Sequence, residues 1–357
     1  LSSAFSPYRN FRILKLIAPT AGKVAKLGCS CLTDFIAKLM PKLTHGLENE
    51  GSSGRQPLSS RSNLLSALRD ENLLVCDGAM GTELQREGLP LGLCGDVWNL
   101  ENPNAVARVH RRYVEAGADI LLTNTFSANR YRLAHYGLAD KVQVIAREAV
   151  KILRSVATEK TFLLGELGPL GEFLEPYGEV SHAAAVTAFR EAIEVFAGEG
   201  VHGIIIETVA APEEMECAIE AARAVTDLPL IACFTFESSP VGLRTMSGAT
   251  PEQCAELLAQ LPANIVGCNC GTNLSAKDYE QLVATFAHIT KKPVIVEPNA
   301  GTPELIDGQI VYRATPEALA TWVPQLVEAG ARIIGGCCGT GPEHIRAFRQ
   351  AVNSLRS

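Results

Sequence analysis

The sequence predicts a (β/α)8 TIM barrel as a single domain over residues 61–357, preceded by a basic, disordered N-terminal extension over residues 1–60. Three observations carry the prediction. Short apolar runs recur eight times, a longer amphipathic stretch follows each run, and nearly every run closes on polar or glycine-rich residues. A run too short for a helix and apolar on both faces is what a parallel strand covered by helices requires.

In chain order the runs occupy residues 73–77, 120–124, 162–167, 203–207, 230–236, 264–269, 293–298 and 332–336. Between them, helix starts are marked by Asn102-Pro103, Ala211-Pro212-Glu213-Glu214, Thr250-Pro251-Glu252, Thr315-Pro316-Glu317 and Gly341-Pro342-Glu343. Proline suits a first helical turn, where an N–H is orphaned in any case, and acid there complements the helix dipole. Gly117 and Gly330 stand where helices end. An open doubly wound sheet is the competing architecture, but no Gly-x-Gly-x-x-Gly turn follows the first run.

Composition narrows the class of function. The 357 residues are 47% hydrophobic with a formal charge of −7. No basic footprint marks nucleic acid as a partner, and no window approaches the roughly 20 apolar residues that cross a membrane. A small-molecule protein is expected. Residues 1–60 carry about +5 and the remainder about −12, and residues 48–57 have a linker's composition. The extension reads as a disordered leader or as upstream sequence from a misplaced start, with a cytoplasmic protein implied. A transit peptide, and so an organelle matrix, is the alternative.

Eleven cysteines, an odd number that includes the adjacent Cys337 and Cys338, make a poor disulfide framework. Cys76, Cys94, Cys217, Cys233 and Cys254 read as plain buried or surface residues. The ends of the strands differ. Active sites of such barrels form where the strands end, and there the sixth run closes in Gly267-Cys268-Asn269-Cys270-Gly271 and the eighth in Gly335-Gly336-Cys337-Cys338-Gly339-Thr340. Three thiolates on one rim suit zinc, which in catalytic sites takes three protein ligands and keeps a fourth position open. Neighbouring glycines permit the irregular backbone that adjacent ligands need. Strand alternation sends Cys268 and Cys270 to the same face, so spacing leaves either as the third sulfur.

Carboxylates close other runs. Asp77, Glu166 and Glu207 end apolar strands, and burying them is costly without a cation such as a substrate ammonium, or an arginine such as Arg130 or Arg244. Asn124 and Asn299 are placed to hydrogen-bond an amino-acid head group.

These elements resemble the homocysteine-binding zinc methyltransferase module of cobalamin-dependent methionine synthases and of betaine or S-methylmethionine homocysteine methyltransferases. The resemblance covers residues 70–350. It rests on Asp77-Gly78-Ala79-Met80-Gly81-Thr82, Thr123-Asn124-Thr125-Phe126, Glu207-Thr208, Gly267-Cys268-Asn269-Cys270, Pro298-Asn299-Ala300-Gly301 and Gly335-Gly336-Cys337-Cys338-Gly339-Thr340. Residues 168–176 and 296–301 look closest to the methionine-synthase branch.

The resemblance implies one zinc ion per chain on Cys270, Cys337 and Cys338, so it selects Cys270 over Cys268. It implies a homocysteine thiolate that attacks a methyl donor to form methionine. Asp77 and Glu207 would fix the amino group, and backbone N–H groups of Gly78, Ala79, Met80, Gly81 and Thr82 the carboxylate. The donor is a methylated corrinoid, with cobalamin supplied by a separate protein, or else betaine or S-methylmethionine. A non-catalytic module binding homocysteine or methionine, and a methyltransferase for another thiol, are the competing readings.

Overall fold

The computed structural model describes residues 63–69, 73–306 and 309–355. The boundary near residue 60 and the character of the extension lie outside the described residues.

Twelve strands occur among the described residues: β1 Leu74–Val75, β2 Ile120–Leu122, β3 Phe162–Leu167, β4 Gly203–Val209, β5 Leu230–Phe234, β6 Glu237–Ser239, β7 Gly242–Arg244, β8 Ile265–Asn269, β9 Val294–Glu297, β10 Glu304–Ile306, β11 Gln309–Val311 and β12 Ala331–Ile334. Eight of them form one parallel sheet in the order β1-β12-β9-β8-β5-β4-β3-β2. A parallel bridge between Cys76 and Ile120 brings β1 back to β2, so the sheet curls into a nearly closed (β/α)8 barrel. Each of the eight predicted runs contains or overlaps one of these strands. The two hairpins, β6–β7 and β10–β11, follow the fifth and seventh barrel strands and were not foreseen. The run 230–236 is accordingly shorter as a strand, because the chain turns into the first hairpin after Phe234.

Helices begin at Pro103, Pro212, Pro251, Pro316 and Pro342, the five positions marked by proline in the sequence. Side-chain caps reinforce two of these starts and one further start: Thr250 pairs with Gln253 and Ser275 with Asp278 in capping boxes, and Thr315 accepts from Ala318 N. Gly117, at φ 96°, closes its helix in the left-handed conformation.

Two apolar layers result from strand alternation. The inner one fills the barrel with Leu74, Cys76, Ile120, Phe162, Leu164, Ile205, Ile231, Cys233, Ile265, Ile295 and Ile333, joined by Leu64 and Leu68 of the helix Leu64–Arg69. The outer one packs strands on helices and contains Cys94, Cys217, Cys254 and Cys268. Close approach fixes one glycine in this sheet: a Cβ on Gly165 would lie 2.4 Å from the Phe196 ring. Among the described residues no helix is long and apolar enough to cross a membrane.

Candidate metal centre and substrate mouth

Cys270, Cys337 and Cys338 meet where β8 and β12 end, with all three sulfurs within 4.8 Å of one another. The Sγ atoms of Cys270 and Cys338 are 4.0 Å apart, as are those of Cys337 and Cys338. A tetrahedral zinc with bonds of about 2.3 Å separates its sulfurs by about 3.8 Å, so the set has the dimensions of a three-thiolate site.

The backbone explains how both loops deliver sulfur to one point. Cys270 has φ 56°, which turns its side chain out of the strand alternation. Cys268, which keeps that alternation, lies in the outer apolar layer. Cys270 N donates to Glu297 O at 3.0 Å, and Cys337 N to Pro298 O at 2.9 Å. Gly339 turns the other loop at φ 81°, where a Cβ would strike the Tyr312 ring at 2.2 Å. Thr340 Oγ1 donates to Cys337 O at 2.7 Å and closes that turn.

Polar groups surround the sulfurs. Asn269 Oδ1 accepts from Thr208 N at 2.7 Å, while Nδ2 donates to Thr208 Oγ1 at 2.7 Å and points to Cys337 Sγ at 3.8 Å. Hydrogen bonds from Cys270, Cys337 and Tyr312 hold the Cys338 thiol well below its ordinary range. The proton is retained elsewhere in the set. Cys337 is raised by its bonds to Cys270 and Cys338 and by burial; in Cys270 the bond from Cys337 favours the thiolate, but Cys338 and burial outweigh it and push the group up to about 12.

Beside the sulfurs lies a group of buried acids: Asp77, Glu166, Glu207 and Glu297, each at most 7% exposed. Burial pushes Asp77 up to about 7, against the opposing bonds from Leu122 N at 3.0 Å and Cys76 Sγ at 3.5 Å. Glu207 rises to about 8 through burial first and then through its closeness to the ionisable Cys270 and Asp77. Glu166 and Glu297 are raised by burial first and then by Glu207. None of the ion pairs among the described residues involves these four: Arg130 pairs with Glu191, and Arg244 donates to Leu243 O. Glu297 Oε2 is buried without any hydrogen-bond partner. The sequence had marked three of these acids. Glu297 was missed as a carboxylate, though it closes its strand just as the others do.

The remaining predicted residues divide. The helix Met80–Arg86 starts without a side-chain cap, so the N–H groups of Met80, Gly81 and Thr82 head an uncapped helix. Ala79 N instead donates to Thr340 Oγ1 at 3.2 Å. Gly78 is set by packing, since a Cβ there would lie 2.9 Å from both Thr340 Oγ1 and Tyr113 Oη. Asn124 uses its amide hydrogens on Gly95 O at 2.8 Å and Asn99 Oδ1 at 3.1 Å. Asn299 Nδ2 donates to Gly271 O at 2.9 Å, and its Oδ1 is buried without a partner.

Comparison with known proteins agrees with this arrangement. The profile of the homocysteine S-methyltransferase family matches residues 74–352. Methionine synthase of Mycobacterium tuberculosis is 33% identical over 313 residues, 83% of this chain and 26% of that protein. Methionine synthase of Mycobacterium leprae is 33% identical over 309 residues, 82% of this chain and 25% of that protein. The chain thus spans about a quarter of the length of these relatives. Among solved structures, the metallated form of the homocysteine methyltransferase MmuM from Escherichia coli superposes with a TM-score of 0.67 at 26% identity, covering 82% of this chain and 99% of that one. A methyltransferase from Methanosarcina mazei, at 11% identity and a TM-score of 0.52, shares the fold. With its barrel, its rim of three sulfurs and a profile match over most of its length, the chain belongs to the homocysteine S-methyltransferase family.

Proposed function

We propose that the protein methylates the sulfur of homocysteine to form methionine, using one zinc ion on Cys270, Cys337 and Cys338. The observation that carries the reading is the pairing of a three-sulfur cluster with buried acids that have no cationic partner. Homocysteine complements both halves, with a thiol at one end and an ammonium at the other.

Zinc, when bound, supplies the positive charge that keeps a thiol of ordinary pKa near 8.5 in its nucleophilic thiolate form at neutral pH. The chain's own groups do the rest. Asp77 and Glu207 accept hydrogen bonds from the ammonium and fix the direction in which the substrate sulfur faces. Such positioning replaces the search for a reactive approach with a preset one. The N–H groups of Met80, Gly81 and Thr82 receive the carboxylate. Asn269 and Tyr312 orient the sulfurs of Cys337 and Cys338, as polar neighbours of metal ligands commonly do.

For the methyl donor, the resemblance of residues 168–176 and 296–301 to the cobalamin-dependent methionine-synthase branch favours methylcobalamin carried by a corrinoid protein. The resemblance to betaine and S-methylmethionine homocysteine methyltransferases keeps a small methylated donor as the comparison arm. The test is metal analysis together with methionine formation from homocysteine and a panel of methylated corrinoid protein, betaine and S-methylmethionine. One zinc per chain and turnover with one donor are expected. Cys338→Ala should lose both, and methionine formation unchanged in that variant would overturn the assignment.

A further inference from the structure

Two loops supply the three sulfurs, and the segment Pro298-Asn299-Ala300 lies between them. On one side it holds the cysteine pair: Pro298 O accepts from Cys337 N at 2.9 Å, and Ala300 N donates to Cys338 O at 2.9 Å. On the other side Asn299 reaches the loop after β8. Its Nδ2 donates to Gly271 O at 2.9 Å, and its backbone N donates to Tyr279 Oη at 3.4 Å. Tyr279, buried on the helix Ala276–Thr290, donates its own hydroxyl hydrogen to the carbonyl of Cys270. A continuous chain therefore runs from Asn299 N–H through the phenol to the backbone of Cys270.

Cys270 needs such a tie. At φ 56° it occupies the left-handed region, which a residue with a Cβ disfavours, and Gly271 continues the turn at φ 108°. Relaxation to ordinary extended backbone would restore strand alternation and carry the sulfur towards the helix-facing side, where Cys268 lies. The cysteine pair has no equivalent problem, because neither Cys337 nor Cys338 is among the residues of positive φ.

We propose that Tyr279 is a positioning residue whose hydroxyl locks Cys270 in the left-handed conformation that presents its Sγ to the metal. The ligand set is then formed before metal arrives. The inference rests on the reading that the three cysteines hold zinc, and its test separates the two.

The full chain, its Tyr279→Phe variant and its Trp322→Leu variant are compared by zinc competition with a chromophoric chelator, by thiolate-to-metal charge transfer in the cobalt(II) form, and by thermal melting. Tyr279→Phe keeps the ring and removes only the hydroxyl. It should weaken zinc binding by about tenfold, the low end of what the loss of outer hydrogen bonds does to metal sites, and reduce the charge-transfer band. Trp322→Leu removes the indole that packs on the Tyr279 ring at 6.1 Å between centroids without touching the hydroxyl. It should lower the melting temperature and leave zinc affinity at the parent value. Parent-like zinc affinity in Tyr279→Phe would overturn the proposal, and so would equal losses in both variants, which would assign the effect to packing. A parent chain that binds no zinc would overturn the metal-centre reading itself.

Discussion

The two ends of the barrel interior use the same strands for opposite purposes. Where the strands begin, the lumen is closed by Leu74, Ile120, Phe162, Ile205, Ile231, Ile265 and Ile333, with Ile205, Ile231 and Ile265 in register across β4, β5 and β8. Where they end, the lumen holds Asp77, Glu166, Glu207 and Glu297. Burying an isoleucine side chain stabilises by about 1.5–3 kcal/mol, whereas burying an unpaired carboxylate opposes folding. One end therefore stabilises the molecule, and the other buries carboxyl groups whose charged form is disfavoured there. The difference teaches that apolar burial accounts for one end but not for the other, where the bonds to Asp77 from Leu122 N and Cys76 Sγ are a small offset and, on the proposed reading, a substrate ammonium supplies the missing cation.

Substitutions at the two ends should break in opposite directions. Ile231→Ala, in the fully buried layer, is expected to destabilise by about 2–5 kcal/mol in denaturant melts. The same change should leave the homocysteine KM of the surviving folded protein near its parent value. Glu207→Gln removes one charge from the acid group, so its unfolding free energy at pH 8 should equal or exceed the parent's. Its homocysteine KM should rise by about 10–100-fold, the worth of a hydrogen bond to a charged group. Destabilisation by Glu207→Gln as large as that by Ile231→Ala would erase the contrast and make the acid a structural tie.

The legibility of the sequence follows the same division. The apolar runs could be read because burial on both faces leaves an unbroken run of Val, Ile and Leu, and proline marked five helix starts because it fits only there. The hairpins could not. Glu237-Ser238-Ser239 and Gly242-Leu243-Arg244 are short and mostly polar, so their pairing is a local turn effect with no periodicity to announce it. In the mouth, residue types were legible but directions were not. Cys270 and Cys268 differ through one backbone angle, and cysteine gives no signal of a positive φ as glycine does. Asn124 lies two residues past the end of its strand at Leu122, and only the structure shows its amide turned to Gly95.

A second and smaller contrast concerns pH. Burial raises the Asp77 carboxyl to about 7 in the folded protein, while the unfolded chain releases that proton near 3.9. The folded state therefore holds a proton that the unfolded state has lost. Its stabilising effect is complete below the unfolded value and disappears as pH rises through about 7. Each pH unit inside the window is worth up to about 1.4 kcal/mol. Melts of the substrate-free protein should show stability falling from pH 5 to pH 8, and Asp77→Asn should reduce that fall by up to about 3 kcal/mol. Ile231→Ala should shift the whole curve without changing its slope. If Asp77→Asn keeps the parent's slope, the dependence belongs to the other buried acids, among them Glu166, Glu207 and Glu297, and also Asp96 and Glu214, which burial likewise raises to about 7.

The smallest expected effect lies at the border between the two regions. Asn124 and Asn99 stitch the short helical segment 95–101 to the loop after β2: Asn99 Nδ2 donates to Asn124 O at 2.7 Å, and Asn124 returns bonds to Gly95 O and Asn99 Oδ1. Its donors are thus spent before any substrate arrives. Asn124→Ala should lower stability by about 1 kcal/mol through these lost bonds, and should leave the homocysteine KM within about twofold of the parent. A tenfold rise in KM at unchanged stability would reverse the assignment. It would mean that the amide turns into the mouth when homocysteine binds, and that the functional region includes the end of β2, between the strand that leads to Asp77 and the strand that carries Glu166.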